Sequence, residues 1–343
     1  MMRPDLSIII PYFNRADTVP VTLASIRQAR GDLAIETILV DDGSTPPAVE
    51  QLRGQPDQPD LIIRQANQGL LFARLAGLAQ ARGDYVLFLD SDDLVGPDKL
   101  RLQIEAMRQQ AADVSYTDSA KVQLGATLAQ TLPLADEPVL PETDDAADFF
   151  IRLQPPPHSP VFRTAWLRPL VVQPLFAPSP LYNPVAEIWF YHIAAPQPAK
   201  VIKVSGPHTL IGQHCGSRIT NQWEKMGVAS LAVMEAFMRA CPVNPGTRRV
   251  REMVAEKAFN SWRALPRDFS PAFQERMLRL WQAQPTAAPA RLGGPQFQRF
   301  ARWLGATNAA RLLRFLRGHS YRSCRTLDDP ALLDRWLAQL PAP

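Results

Sequence analysis

The sequence predicts an α/β fold: a mostly parallel central sheet flanked by helices, followed by a C-terminal helical region. Three observations predict it. Short β-branched runs alternate with amphipathic stretches through the first 120 residues. Prolines crowd residues 133–207. After Thr220 apolar residues recur at helical spacing. Strands alternating with helices imply parallel neighbours covered on both faces.

Leu6–Ile10 reads as the first buried strand, and Asp17–Arg30 as the helix after it. Ile35–Val40 and Leu61–Ile63 are the next apolar runs. Gly69–Arg82 places Leu71, Leu75 and Leu78 on one helical face. Tyr85–Leu89 is a fourth strand, Pro97–Gln110 a helix with proline in its first turn, and Val114–Tyr116 a fifth strand. In the proline-rich stretch a loop-rich region is expected, with a helix at Ala186–Ala195 and a strand at Val201–Val204. Helices are expected at Gln222–Ala240, Thr247–Ala264, Pro271–Ala283, Gln296–Arg317 and Asp328–Leu340. The expected domains are 1–218, split into a nucleotide-binding half (1–120) and an acceptor half (121–218), and a helical region, 219–343.

Composition narrows the function classes. The 343 residues carry a net charge of +4, too weak a bias to argue for nucleic acid. The three cysteines, Cys215, Cys241 and Cys324, show neither a disulfide framework nor paired metal spacing. A reduced, cytoplasmic compartment is the expectation. The N-terminus lacks the apolar length of a signal peptide, and no apolar run reaches spanning length.

Ligands of such sheets bind beyond the carboxyl ends of the strands. Three polar clusters sit there: Pro11-Tyr12-Phe13-Asn14, Asp41-Asp42-Gly43-Ser44 and Asp90-Ser91-Asp92-Asp93. They are expected to converge on one edge. Asp90 and Asp92 leave the chain two positions apart and can face one pocket. Carboxylates this close repel, and a bound hard cation relieves the repulsion. The bland alternative is that Asp92 or Asp93 caps the next helix.

The segments Ser7–Asn14, Leu39–Thr45, Asn67-Gln68-Gly69 with Ala73-Arg74, and Gly83–Asp93 resemble, in order and spacing, the successive motifs of family 2 glycosyltransferases of the GT-A (Rossmann-like) fold. The resemblance covers residues 5–120 strongly and 150–220 weakly. It implies an inverting, metal-dependent transfer from a nucleotide-diphosphate sugar (UDP or dTDP) to a glycan or lipid-linked acceptor in surface polysaccharide synthesis. By it, Pro11, Tyr12 and Asn14 line the nucleotide pocket. Asp41 accepts from the base, while Asp42 suits the bland turn role. Arg74 faces the diphosphate, Asp90 and Ser91 lie near the ribose or sugar, and Asp92 binds Mn²⁺ or Mg²⁺. Leu75 departs from the family, which often has Asn there.

The family's general base comes from an acidic pair about 100 residues further on. Here Asn183–His192 holds one acid, Glu187. Glu187 is the candidate base, against the alternative of a first-turn glutamate favoured by the helix dipole. Asp118 is the second candidate, suited to orienting the acceptor. His214 resembles the family's late histidine, placed to complete the metal shell. Cys215 reads as packing. Gln296–Arg317 interleaves five arginines with apolar residues; it suits an anionic membrane surface, or simple packing with solvated arginines. The weak base motif leaves a non-catalytic nucleotide-sugar-binding module as the competing reading. A nucleotidyltransferase is disfavoured, because the loop after the first strand has no glycine.

Overall fold

The computed structural model describes residues 3–214, 222–284, 292–317, 320–329 and 331–342. The chain forms two compact units, 1–216 and 217–343. Cys215 lies outside the described residues.

In the first unit the elements run β1 (Leu6–Tyr12), α1 (Val19–Ala29), β2 (Ile35–Asp41), α2 (Ala48–Gln51), β3 (Leu61–Arg64), α3 (Leu70–Gln80), β4 (Tyr85–Phe88), β5 (Leu94–Val95), α4 (Lys99–Gln110), β6 (Val114–Gln123), β7 (Leu132–Asp136), β8 (Val161–Arg163), α5 (Thr164–Val172), α6 (Ala186–Ala194) and β9 (Val201–Gln213). The sheet order is β3-β2-β1-β4-β8-β6-β9-β5, with β7 added on β6. β1 pairs in parallel with β2 and with β4, and β2 with β3. β1 and β2 are buried along their whole length, as continuous apolar runs under helices must be. β8 enters antiparallel between β4 and β6. β6 and β9 run parallel to each other.

Two strands extend past their apolar cores. β6 continues to Gln123 and β9 to Gln213, so this long pair outreaches the three- and four-residue runs read from sequence. The added length mixes buried polar residues such as Thr117, Asp118, Ser119 and Thr209 with scattered apolar ones, which hides it from a hydrophobicity reading. β5 and β8 are too short to stand out, and β7 is a five-residue exposed strand interrupted by Pro133. A further helix, α5, accommodates Pro169 in its interior. An aromatic layer of Phe88, Phe162, Trp189 and Phe190 packs α6 against the middle of the sheet.

The second unit is helical: α7 (Trp223–Ala240), α8 (Pro245–Ala264), α9 (Pro271–Ala283), α10 (Pro295–Arg317) and α11 (Ala331–Ala338). Asn244 caps α8 in a reciprocal box with Thr247. Phe259 packs on Trp262, Trp281 and Phe297 at its core. α10 is broken at Gly305, whose φ is 73°.

Candidate active site

The loops after β1, β2 and β4 converge at one sheet edge, as parallel register requires. Tyr12 is paired with Asp41 across β1 and β2, and Leu89 N donates to Ile9 O. Asn14 fastens the first loop to the second: its backbone N–H donates to Ser44 Oγ (3.0 Å) and its Oδ1 accepts from Thr45 N (2.9 Å).

Both aspartates of the second loop are tied down within the protein. Asp41 is the turn former. Its Oδ1 accepts from Ser44 N (2.8 Å), and its Oδ2 accepts from Ala48 N (2.9 Å) and from Arg64 (3.1 Å). Only 1% of it is exposed, so both oxygens are committed within the protein. Asp42 instead reaches the third loop, accepting from Gln68 N (2.9 Å) and Gly69 N (2.7 Å). Tyr12 is likewise buried; its hydroxyl donates to Gln51 (2.6 Å), and burial pushes its pKa up to about 12. The aromatic left at the surface of the first loop is Phe13, 47% exposed. The sequence places Phe13 in a strand-end cluster without a role and gives none to the half-exposed Arg64. An aromatic immediately before Asn14 was the signal for Phe13; Arg64 gave none, since its pairing depends on the β2–β3 register.

Arg74 lies at the centre. It projects from α3 and is 1% exposed, between Asp90 Oδ1 at 2.7 Å and Glu187 Oε2 at 3.6 Å. A buried guanidinium is tolerable only when paired, and these two carboxylates supply the pairing. Its charge is committed to Asp90 and Glu187, and its guanidinium lies 6.0 Å from the Phe88 ring centroid.

Asn183 brings Glu187 into this arrangement. Its Oδ1 accepts from Leu71 N (3.0 Å) and its Nδ2 donates to Gln68 O (2.8 Å), riveting the approach to α6 onto the start of α3. Gly69 makes the approach possible. Its φ is 93°, and a Cβ there would stand 2.1 Å from the Asn183 amide. Glu187 sits in the first turn of α6, about three-quarters buried. Burial raises its pKa above the ordinary carboxylate value; Arg74 opposes this and Asp90 adds to it.

Asp92 meets His214 just beyond the end of β9, with Nε2 2.8 Å from Oδ2. Ser91 beside them is buried. Among the described residues no group of three or more His, Cys, Asp or Glu could hold a metal. Asp92 and His214 therefore offer one oxygen and one nitrogen, a two-residue set that fits a cation whose remaining ligands come from a diphosphate and water.

Asp118 does not reach this site as an open carboxylate. Its Oδ1 accepts from Leu140 N and from Lys203 (2.8 Å each), and its Oδ2 from Gly206 N (3.2 Å). These bonds hold its pKa below the usual range against the burial that raises it. Asp118 is a clamp at the β6–β9 register shift between Thr117 and Ser119, not a free acceptor-orienting group.

Residues 7–147 match the model of glycosyl transferase family 2. An uncharacterised glycosyltransferase of Haemophilus influenzae is 39% identical over 113 residues, 32% of this chain and 44% of the relative. The succinoglycan biosynthesis protein ExoO of Rhizobium meliloti is 34% identical over 122 residues, 35% of each chain. A putative teichuronic acid biosynthesis glycosyltransferase, TuaG of Bacillus subtilis, is 33% identical over 118 residues, 34% of this chain and 46% of the relative. The chain thus spans less than half the length of these relatives. The fold is that of S. aureus TarS 1–349, solved in complex with UDP-GlcNAc: TM-score 0.62, 18% identity, 94% of this chain and 93% of that one. A mannosyltransferase from Pyrobaculum calidifontis, solved with GDP-Man and Mn²⁺, aligns with TM-score 0.52 at 18% identity, over 99% and 87%.

Proposed function

We propose that the chain transfers a sugar from a nucleotide-diphosphate sugar, with UDP- or dTDP-linked donors favoured, to a glycan or lipid-linked acceptor. The observation that carries this reading is the Asp90–Arg74–Glu187 array beside the Asp92–His214 pair. It puts a carboxylate of raised pKa and a candidate cation pair on the same sheet edge. Neighbours of the same fold that were solved with a sugar nucleotide support the donor class.

In the proposed reaction the acceptor hydroxyl gives its proton to Glu187 Oε as its oxygen attacks C1 of the sugar. The C1–O bond to the diphosphate breaks, and its electron pair leaves on the diphosphate oxygen. Attack from the face opposite the leaving group inverts the anomeric centre. A raised pKa suits this role, because a base nearer the working pH transfers the proton with more driving force. Arg74 fixes Glu187 and Asp90 relative to each other. Asp92 and His214 would hold Mn²⁺ or Mg²⁺, with the imidazole favouring Mn²⁺. When bound, the cation neutralises charge developing on the diphosphate. Phe13 offers a face on which the base can stack.

Relatives named for succinoglycan and teichuronic acid synthesis point to a cell-surface polysaccharide. Among the described residues no helix is long and apolar enough to cross a membrane. On α10, Trp303 is 88% exposed and Phe315 and Leu316 are 64% exposed, which supports peripheral contact with an anionic inner-leaflet surface. Arg314 of the same helix is buried on the carbonyls of Leu265 and Pro266, so part of that helix packs.

The test is donor turnover: nucleotide diphosphate released from a panel of sugar nucleotides with Mn²⁺ and oligosaccharide acceptors. Release that falls with Glu187→Gln supports the transfer. Donor binding with no release under any acceptor favours the non-catalytic module instead.

A further inference from the structure

We infer that Asp93, braced from beneath by His158, positions the end of β9 so that His214 meets Asp92. The inference rests on the reading of Asp92 and His214 as the cation pair. Asp93 follows Asp92 in sequence, but its side chain turns the other way, into the protein; the residue is 7% exposed. Its Oδ1 accepts from Gly212 N at 2.9 Å. Its Oδ2 lies 3.1 Å from His158 Nδ1. Its backbone carbonyl accepts from Thr22 Oγ1 at 3.0 Å. One residue thus touches α1, the segment before β8, and β9 two positions before His214.

Gly212 shows how closely the strand is drawn in. A Cβ at Gly212 would stand 2.0 Å from the backbone oxygen of Asp92, so only glycine lets β9 approach this near. His158 has a rigid seat. It is 1% exposed, and the next residue, Ser159, is bonded on every side. Ser159 Oγ donates to Thr117 O (2.8 Å) and accepts from Thr117 N (3.1 Å). Ser159 O accepts from the wholly buried Lys99 Nζ (2.8 Å) and from Gln103 (3.2 Å). Burial drives the His158 pKa down to about 3, and its neutral imidazole lies against Asp93 through the 3.1 Å Nδ1–Oδ2 contact. The DSDD run therefore divides its labour: Asp90 pairs with Arg74, Asp92 with His214, and Asp93 holds the strand that delivers His214. Asp93 and His158 are positioning residues. Outer partners of this kind orient the groups that bind a metal.

The test is Mn²⁺ binding in the presence of UDP, read as free aqueous Mn²⁺ by electron paramagnetic resonance. UDP binding in EDTA and circular dichroism serve as controls. Asp92→Asn and His214→Ala should abolish tight Mn²⁺ binding. Asp93→Ala, His158→Leu and Gly212→Ala should weaken it about 10- to 100-fold, with UDP affinity in EDTA unchanged. His158→Asn, whose amide can donate from near the Nδ1 position, should restore binding lost in His158→Leu. If Asp93→Ala does not fold, the His158 pair decides. Wild-type Mn²⁺ affinity in both Asp93→Ala and His158→Leu, with Asp92→Asn impaired, overturns the positioning role alone. Wild-type affinity in Asp92→Asn and His214→Ala overturns the metal reading, and this inference with it.

Discussion

Glu187 Oε2 lies 3.6 Å from the buried guanidinium of Arg74, although α3 and α6 are more than a hundred residues apart in sequence. The pairing sets the working state of the candidate base. Burial raises the pKa of Glu187, and Arg74 limits the rise. A base must be ionised, so kcat should fall on the acid side as pH drops through that raised value. Glu187→Gln should remove this acid limb and lower kcat by about 10²- to 10⁴-fold. A pH–rate profile of both proteins checks this; an unchanged rate sends the search for the base elsewhere.

The same shift has a consequence for stability. A carboxyl whose folded pKa is raised stabilises the fold below its unfolded value, and that contribution is lost as pH rises through the folded value. At neutral pH the ionised Glu187 is therefore a burden on the fold. Glu187→Gln should melt higher than wild type at pH 7, and the gap should close toward pH 4. A Tm series across that range reads the effect directly.

Arg74 should be costly to remove. Arg74→Ala leaves Asp90 and Glu187 partly buried and facing each other without a cation, with an expected cost of about 3–5 kcal/mol. In whatever folds, the acid limb of kcat/KM should move to higher pH, because the group that holds the Glu187 pKa down is gone. Urea unfolding and a pH–rate profile measure the two effects separately.

Asp118 should behave as a structural residue. Asp118→Asn strands the Lys203 ammonium, 7% exposed, and should cost about 3–5 kcal/mol. Asp118 has a lowered pKa, so the stability it contributes is present above its unfolded value and lost as pH falls through the folded one. Asp118→Asn should therefore flatten the acid side of the stability profile, while KM for the acceptor is unchanged in the folded fraction. A large rise in acceptor KM would return Asp118 to the site.

Gly69→Ala tests the link between α3 and α6. The added methyl meets Asn183 at 2.1 Å in a backbone conformation that alanine adopts only with strain. Stability should fall by about 1–3 kcal/mol, and kcat should fall with it as Glu187 loses its anchor. A stability loss with no change in kcat would detach Asn183 from the positioning of Glu187.

Much of this site is readable from sequence because it lies where strands end. Ser7–Asn14, Leu39–Thr45 and Gly83–Asp93 each join an apolar run to a polar cluster, and parallel pairing then brings the clusters to one edge. What sequence does not carry is which oxygen faces which donor. Asp41 and Asp42 are neighbours of identical chemistry, and only the path of the chain makes Asp41 the turn former and Asp42 the tie to Gly69. His158 follows three prolines and reads as loop, yet it sits against Asp93 in the interior. Lys99 reads as a solvated first-turn residue of a helix, yet it is wholly buried on Ser159, Gln103 and Thr209. Long-range packing decides these cases, and no local pattern encodes it. β7 and the far ends of β6 and β9 escaped because their apolar and polar residues lack the alternation that marks a strand: β7 exposes Leu132 and Leu134, while β6 buries Thr117, Asp118 and Ser119.

Donor turnover tests the central claim most directly. Wild-type protein, a panel of sugar nucleotides, Mn²⁺ and oligosaccharide acceptors are incubated, and released nucleotide diphosphate is followed with the anomeric configuration of the product. The account predicts release with inversion, strongly reduced by EDTA, by Asp92→Asn and by Glu187→Gln. Release that persists undiminished in Asp92→Asn and Glu187→Gln, or a product of retained configuration, would contradict it.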